Sequence, residues 1–297
     1  MSSIIERTVD SKKLASVEYS EFYDEMLGPF FFTPPAEDLV NRVIKSDVAS
    51  TPLHLISSIL EIGCGTGRTT CVLRTVFPFA KLVALDISPN MQEIARKSVR
   101  DVEEKTGGSF LHPVEFQIGS ALELSDLSGE ETFDIVVMQF VLMFVDHRTV
   151  LQEIFKVLRL NGRVYFSTWD AQNSMIFSQA FIDIRSVNEA VYQASVVPFS
   201  LSDPQYFHAL LTDSGFKGIS IQCTKNVSTA RLALKDWAPA FVAGISFLDG
   251  ASSEEKLAYS QALSMALEGL TGATKSPFIT NLSYWVCSGR KLISASP

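Results

Sequence analysis

Residues Ile59-Leu60-Glu61-Ile62-Gly63-Cys64-Gly65-Thr66-Gly67 constrain this chain more than any other stretch. Branched apolar residues, with one acid among them, run directly into glycines at every second position. Such a run reads as a buried parallel strand emptying into a tight loop poor in side chains, and Arg68 to Val76 reads as the helix that follows. Glycine at 63, 65 and 67 permits positive φ and lets a ligand come within contact distance of the main chain. The next apolar run, Leu82-Val83-Ala84-Leu85, closes on Asp86, which the pattern places at the carboxyl end of the neighbouring strand. A carboxylate there, about 20 residues beyond a glycine-rich turn, can accept both hydroxyls of a ribose. The expectation is a site for an adenosine-containing cofactor.

The spacing discriminates between cofactors. A dinucleotide fingerprint reads G-x-G-x-x-G, its third glycine allowing close helix packing beside a pyrophosphate. Here the order is G-x-G-x-G, and Arg68 stands where that fingerprint wants glycine. Glu61 would add negative charge beside a pyrophosphate, whereas beside an ammonium group it is complementary. The segment resembles the first motif of the class I S-adenosylmethionine-dependent methyltransferases, E-x-G-x-G-x-G, at every defined position. The resemblance implies that Glu61 belongs to the network around the methionine end, that Gly63, Gly65 and Gly67 pass under the ligand, and that Asp86 holds the ribose. Cys64, inside the loop, reads as a small filler and loop contact rather than a nucleophile.

Further motifs extend the likeness over roughly residues 19 to 170. Asp86-Ile87-Ser88-Pro89-Asn90-Met91 resembles the D-x-S-x-x-M of methyltransferases similar to the ubiquinone and menaquinone biosynthesis enzymes. Gln139-Phe140-Val141-Leu142-Met143-Phe144, with Tyr23-Asp24 upstream, resembles a subgroup of them. By the same likeness Ile87, Met91, Ser120, Ala121 and Gln139 join the cofactor contacts. At Ser120 the family usually carries an acid on the adenine amino group, and here only a hydroxyl is available. Leu158 to Arg163 resembles the L-x-P-G-G turn with its proline and second glycine replaced.

Between 59 and 168 strand and helix patterns alternate, as in a parallel sheet covered on both faces. The implied fold is α/β: a Rossmann-like, seven-stranded, mostly parallel sheet with an antiparallel last strand and a helical cap. The expected organisation is an N-terminal helical lid (1–50), a cofactor-binding core (51–169), a helical cap insertion (170–202) and a C-terminal completion of the sheet (203–297). Tyr19 to Met26 reads as a short helix broken at Leu27-Gly28-Pro29, and Phe30-Phe31-Phe32 reads equally as core packing or as a lid over the cofactor. Asn161-Gly162 reads as a stop and turn before the fifth strand. Asp203-Pro204 and Ser252-x-x-Glu255 read as helix starts, the second a capping box.

Composition narrows the substrate. The formal charge of −8 and isoelectric point near 5.1 leave no basic stripe for a phosphate backbone, which argues against nucleic acid. Four scattered cysteines, with no C-x-x-C, suggest neither a metal site nor a disulfide framework. No apolar run approaches a membrane span and no signal peptide is evident, so a cytoplasmic protein with a small-molecule substrate is expected. No histidine declares itself a catalytic base. His147, beside Asp146 after strand four, is the best placed, and its alternative reading is a surface residue at a helix start. The reading is a methyltransferase acting on a small, partly hydrophobic metabolite. An S-adenosylmethionine binder or cyclase without methyl transfer keeps every motif, and a nicotinamide oxidoreductase fits the glycine spacing least.

Overall fold

The computed structural model describes residues 16–44, 52–171, 197–229, 234–244, 252–271 and 279–292. Its centre is a pair of strands with no room for water. All five residues of β1 (Ser58–Ile62) are buried, and β4 (Phe133–Gln139) buries everything between Ile135 and Met138. Apolar side chains on both faces can be satisfied only by helices on both faces, so these strands take the middle of the sheet. β2 (Lys81–Asp86) and β3 (Glu115–Ile118) lie outward on one side. β5 (Leu158–Trp169), β7 (Ile279–Arg290) and β6 (Lys217–Thr229) lie outward on the other. The order is β3-β2-β1-β4-β5-β7-β6. The first five strands are parallel, and β7 runs antiparallel to both β5 and β6.

Strand order reverses between β1 and β4, which opens a crevice at their carboxyl ends. The pairing of Ile62 with Met138 sets Gly63 and Gln139 side by side at its lip. The opposite end is closed by Asp134, whose Oδ2 accepts from the Ser57 and Ser58 N–H groups at 2.8 and 3.0 Å.

Helix α3 (Arg68–Val76) leaves the glycine loop, and α4 (Pro89–Thr106) follows β2. Ser88 caps α4 by accepting from Met91 N–H, Pro89 occupies its first turn, and Gly107 in the left-handed region ends it. A short α5 (Leu124–Ser128) precedes β4, and α6 (His147–Val157) precedes β5. α7 (Pro204–Asp213) starts at Asp203, whose carboxylate accepts from Gln205 N–H at 2.8 Å. α8 (Leu234–Gly244) and α9 (Ser253–Thr271) pack on each other. The capping box at Ser252 forms in both directions, Ser252 N–H to Glu255 Oε2 at 2.7 Å and Glu255 N–H to Ser252 Oγ at 3.2 Å.

Two local expectations are corrected. The chain does not break at Gly28-Pro29: α1 (Val17–Phe22) continues through wide π turns (Tyr23–Phe32) into α2 (Thr33–Asp38) and a further π segment (Leu39–Ile44). A widened turn tolerates the missing N–H of Pro29 where an α turn would not. Asn161-Gly162 does not precede β5 but lies within it. Leu158 pairs with Phe133 and Arg163 with Ile135, so residues 159–162 bulge from the ladder, with Asn161 at φ +67°. Most of the expected cap insertion, 172–196, lies outside the described residues.

Candidate active site

The three loop glycines are required for two different reasons. All have positive φ: +67° at Gly63, +52° at Gly65 and +86° at Gly67. A Cβ on Gly63 would stand 2.3 Å from Val141 Cγ2, and one on Gly67 would stand 3.0 Å from the Ala95 backbone. These two glycines are packing sites against the β4 loop and α4. Among the described residues, a Cβ on Gly65 would meet only the Tyr23 ring, Cε1 at 3.9 Å. Gly65 therefore faces an open cradle, bounded by loop backbone below and an aromatic ring above, of the kind a flat or extended ligand fills.

Asp86, at the tip of β2, turns its carboxylate onto this loop. Oδ2 accepts from Gly65 N–H at 2.7 Å and Oδ1 from Ser88 N–H at 2.8 Å. Each oxygen keeps a second lone pair for a ligand hydroxyl. Burial holds the carboxyl above its ordinary range against the opposing pull of those N–H groups. Glu61 is 2% exposed and accepts from Thr70 Oγ1 at 2.6 Å. Burial, with the Asp86 charge adding to it against the Thr70 bond, pushes its carboxyl up to about 8. A buried acid so disposed gains its charge readily only when a cation approaches, which suits an ammonium-bearing ligand.

The remaining sequence candidates divide into two sets. Gly119 N–H donates to Asp86 O at 3.1 Å, which draws Ser120 and Ala121 next to Asp86. Ser120 Oγ accepts from Leu122 N–H at 3.1 Å and so shapes the turn. Ile87 is 71% exposed beside it, an apolar surface available to a ring, whereas Met91 is buried in the first turn of α4. Cys64 is buried, its N–H donating to Leu85 O at 3.0 Å. Gln139 accepts from Thr69 Oγ1 and donates through Nε2 to Phe32 O at 3.0 Å. His147 stands apart: its Nδ1 lies 3.0 Å from the Tyr206 hydroxyl, and among the described residues no hydrogen bond or ion pair joins it to the loop, Asp86 or Gln139. Burial depresses its pKa against the raising effect of Asp146.

Trp169 and Tyr284 carried no role in the sequence reading, Phe140 entered it only as part of a motif, and Phe30 to Phe32 were left open between core and lid. Phe140, one step beyond β4, adopts φ +55°, a conformation that bulky residues rarely hold and that concentrates at functional sites. Its N–H is tied to Ser167 O at 3.1 Å. Its ring stacks on Trp169 at 3.9 Å and 5° and meets Tyr284 edge-on at 5.8 Å. Phe32 leans on both Phe140 and Trp169, at 5.9 and 6.4 Å. Tyr284 donates to Asp38 Oδ2 at 2.9 Å and receives Asn226 Nδ2 at 2.8 Å. Phe30 and Phe31 are core residues, 2% and 8% exposed, while Phe32 is only partly buried. Side-chain partners drawn from positions 32, 140, 169 and 284 leave no local pattern, although the left-handed Phe140 follows directly on the motif residue Gln139.

Residues 60–166 match the family model described as a methyltransferase domain. The chain is 35% identical over 144 residues to the demethylmenaquinone methyltransferase of Lactococcus lactis, covering 48% of this chain and 50% of that enzyme. It is 32% identical over 113 residues to the malonyl-[acyl-carrier protein] O-methyltransferase of Priestia megaterium, covering 38% and 36%. It thus spans half or less of the length of these curated relatives. The fold is similar to that of the YcgJ protein from Bacillus subtilis, with a TM-score of 0.53 at 18% identity, covering 84% of this chain and 98% of that one. A crevice at the β1–β4 switch, an open glycine cradle, a strand-tip carboxylate and a matching family model converge on one conclusion: residues 60–166 are similar to a methyltransferase domain.

Proposed function

We propose that this chain transfers the methyl group of S-adenosylmethionine to a small, partly hydrophobic acceptor. The observation that carries the reading is the Gly65 cradle, with Asp86 and Glu61 at its margins and the aromatic rings of Phe32, Phe140 and Trp169 beyond Gln139. When bound, S-adenosylmethionine supplies an electrophilic methyl carbon whose leaving group is neutral. Asp86 then holds ribose hydroxyls, Glu61 balances the ammonium group, and Ile87, Ser120 and Ala121 receive the adenine. Catalysis rests on holding the acceptor in line, an effect that reaches about 7–11 kcal/mol for well-oriented partners. His147 is assigned no part in it, since its partner is Tyr206.

The acceptor side is aromatic, and the nearby Arg68 is engaged by Asp24. That chemistry suits an uncharged ring better than a carboxylate or phosphate. Of the two relatives above, it stands nearer to one named for demethylmenaquinone than to one named for a malonyl carrier. The formal charge of −8 supports a dissolved metabolite rather than nucleic acid, and among the described residues no helix is long and apolar enough to cross a membrane. We read the chain as a cytoplasmic enzyme. Incubating it with S-adenosylmethionine and a panel of phenols, hydroquinones, amines and carboxylic acids tests this, with release of S-adenosylhomocysteine as the readout. Turnover confined to ring acceptors supports it. Binding without turnover on any acceptor would instead favour a binder or cyclase, and binding of NAD alone would overturn the cofactor.

A further inference from the structure

The cofactor cradle is not made by the methyltransferase domain alone. Its upper side is the ring of Tyr23, 3.9 Å from where a Gly65 Cβ would stand, and Tyr23 lies well before residue 60. Two ties dock this segment beside the cofactor loop, and one stacking contact joins its own ends. Arg68, the first residue of α3, reaches Asp24 twice through Nη2, at 2.5 Å to Oδ1 and 2.7 Å to the backbone oxygen. Gln139 holds Phe32 O at 3.0 Å while accepting from Thr69 on α3. Tyr23 stacks on Phe32 at 4.8 Å and 12°, so both ends of the π segment share one aromatic contact. Gly28 lies flat over the guanidinium: a Cβ there would stand 2.7 Å from Arg68 Nε.

The residues engaged, Arg68, Thr69 and Gln139, surround the cradle. The Arg68–Asp24 pair is partly exposed, at 27% and 24%, the range in which ion pairs are weak and therefore reversible. The Tyr23 hydroxyl is pushed above its ordinary range by burial and by the neighbouring Tyr19 and Asp86 against the pull of Arg68, consistent with a ring lying between the loop and the ribose-side acid.

We infer that Tyr23 is a cofactor-positioning residue, the second wall of the cofactor slot, and that the Asp24–Arg68 pair is the latch that keeps residues 23–32 closed over the bound ligand. The inference rests on the cofactor reading above. A wall that must lift for exchange ties ligand residence to the latch, so the latch governs dissociation more than the final fit.

The test uses the full chain and S-adenosylhomocysteine, with affinity from calorimetry, dissociation from stopped-flow tryptophan fluorescence, and amide exchange followed over 17–44. Wild type should bind and gain exchange protection in 17–44. Tyr23→Ala should weaken affinity about 10-fold and Tyr23→Phe should hold close to wild type, since the ring face is the wall. Asp24→Asn should speed dissociation about 2- to 5-fold at an unchanged melting temperature. Wild-type affinity and dissociation in both Tyr23→Ala and Asp24→Asn, or no added protection in 17–44, would overturn the lid while leaving the cofactor in place. If Tyr23→Ala does not fold, Asp24→Asn and the exchange data decide. A wild type that does not bind S-adenosylhomocysteine overturns the cofactor reading itself, and the lid with it.

Discussion

The two halves of the crevice are built on different principles. On the β1–β2 side, Glu61, the loop glycines and Asp86 lie within a short span of chain, and backbone groups do most of the contacting: the N–H groups of Gly65 and Ser88 bind Asp86 directly. On the β4–β5 side the wall is made of side chains, and they come from Phe32, Phe140, Trp169 and Tyr284. A backbone-made site is specified by where glycine and one acid stand. A side-chain-made site is specified by packing among distant elements, and it can change its ligand through substitutions that leave the sheet intact. The contrast fits a domain in which one half binds a shared cofactor and the other half selects the acceptor.

The difference can be tested by perturbing each half in turn. The largest effect is expected on the acceptor side. Trp169→Ala empties the centre of the aromatic stack and should cost roughly 3–5 kcal/mol of stability, seen as a steep drop in melting temperature. A melt within a few degrees of wild type would show that the wall is not part of the core.

On the cofactor side, Glu61 should make stability depend on pH. A carboxyl raised from its ordinary 4.5 to about 8 on folding binds its proton more tightly in the folded state. Its contribution is full below 4.5 and declines as pH rises towards about 8, by on the order of 1.4 kcal/mol per pH unit within that window. Glu61→Gln should flatten that slope in denaturant titrations between pH 5 and pH 8. An unchanged slope would mean that the acid is already ionised in the fold.

Asp86→Ala should weaken S-adenosylhomocysteine binding by about 2–4 kcal/mol, from the loss of two charge-assisted hydrogen bonds, and calorimetry on the folded variant measures it. A smaller effect separates neighbouring glycines. Gly63→Ala should lose about 2–3 kcal/mol of stability, since overlap with Val141 adds to the left-handed strain. Gly65→Ala should lose only about 1 kcal/mol while abolishing cofactor binding. Equal behaviour of the two in melts and calorimetry would erase the distinction between packing glycine and cradle glycine. The smallest effect belongs to His147→Ala, within about 0.5 kcal/mol in stability and without consequence for turnover in the S-adenosylhomocysteine release assay.

Much of the fold was legible because its signals are local. Apolar runs marked β1, β2 and β4, Ser88-Pro89 marked the start of α4, and Ser252 with Glu255 marked that of α9. β6 went unread, although Ile219, Ile221 and Cys223 alternate along it, because its polar alternate positions resemble a loop. The helical course through Gly28-Pro29 contradicted a reliable breaker signal: the turn widened, and Leu27, Phe30 and Phe31 reached the core.

From its residues alone the chain prescribes a glycine loop after a buried strand and an acid at the tip of the next, because positive φ and strand-end placement are properties of single positions and short periods. Folding decides everything that depends on distance across the chain. It divides the three glycines between packing and cradle, sets Tyr23 over Gly65, lends Asp86 to the loop as a brace, and removes His147 to a pairing with Tyr206. Those outcomes are contacts between segments far apart in sequence, and no periodicity within either segment encodes its partner.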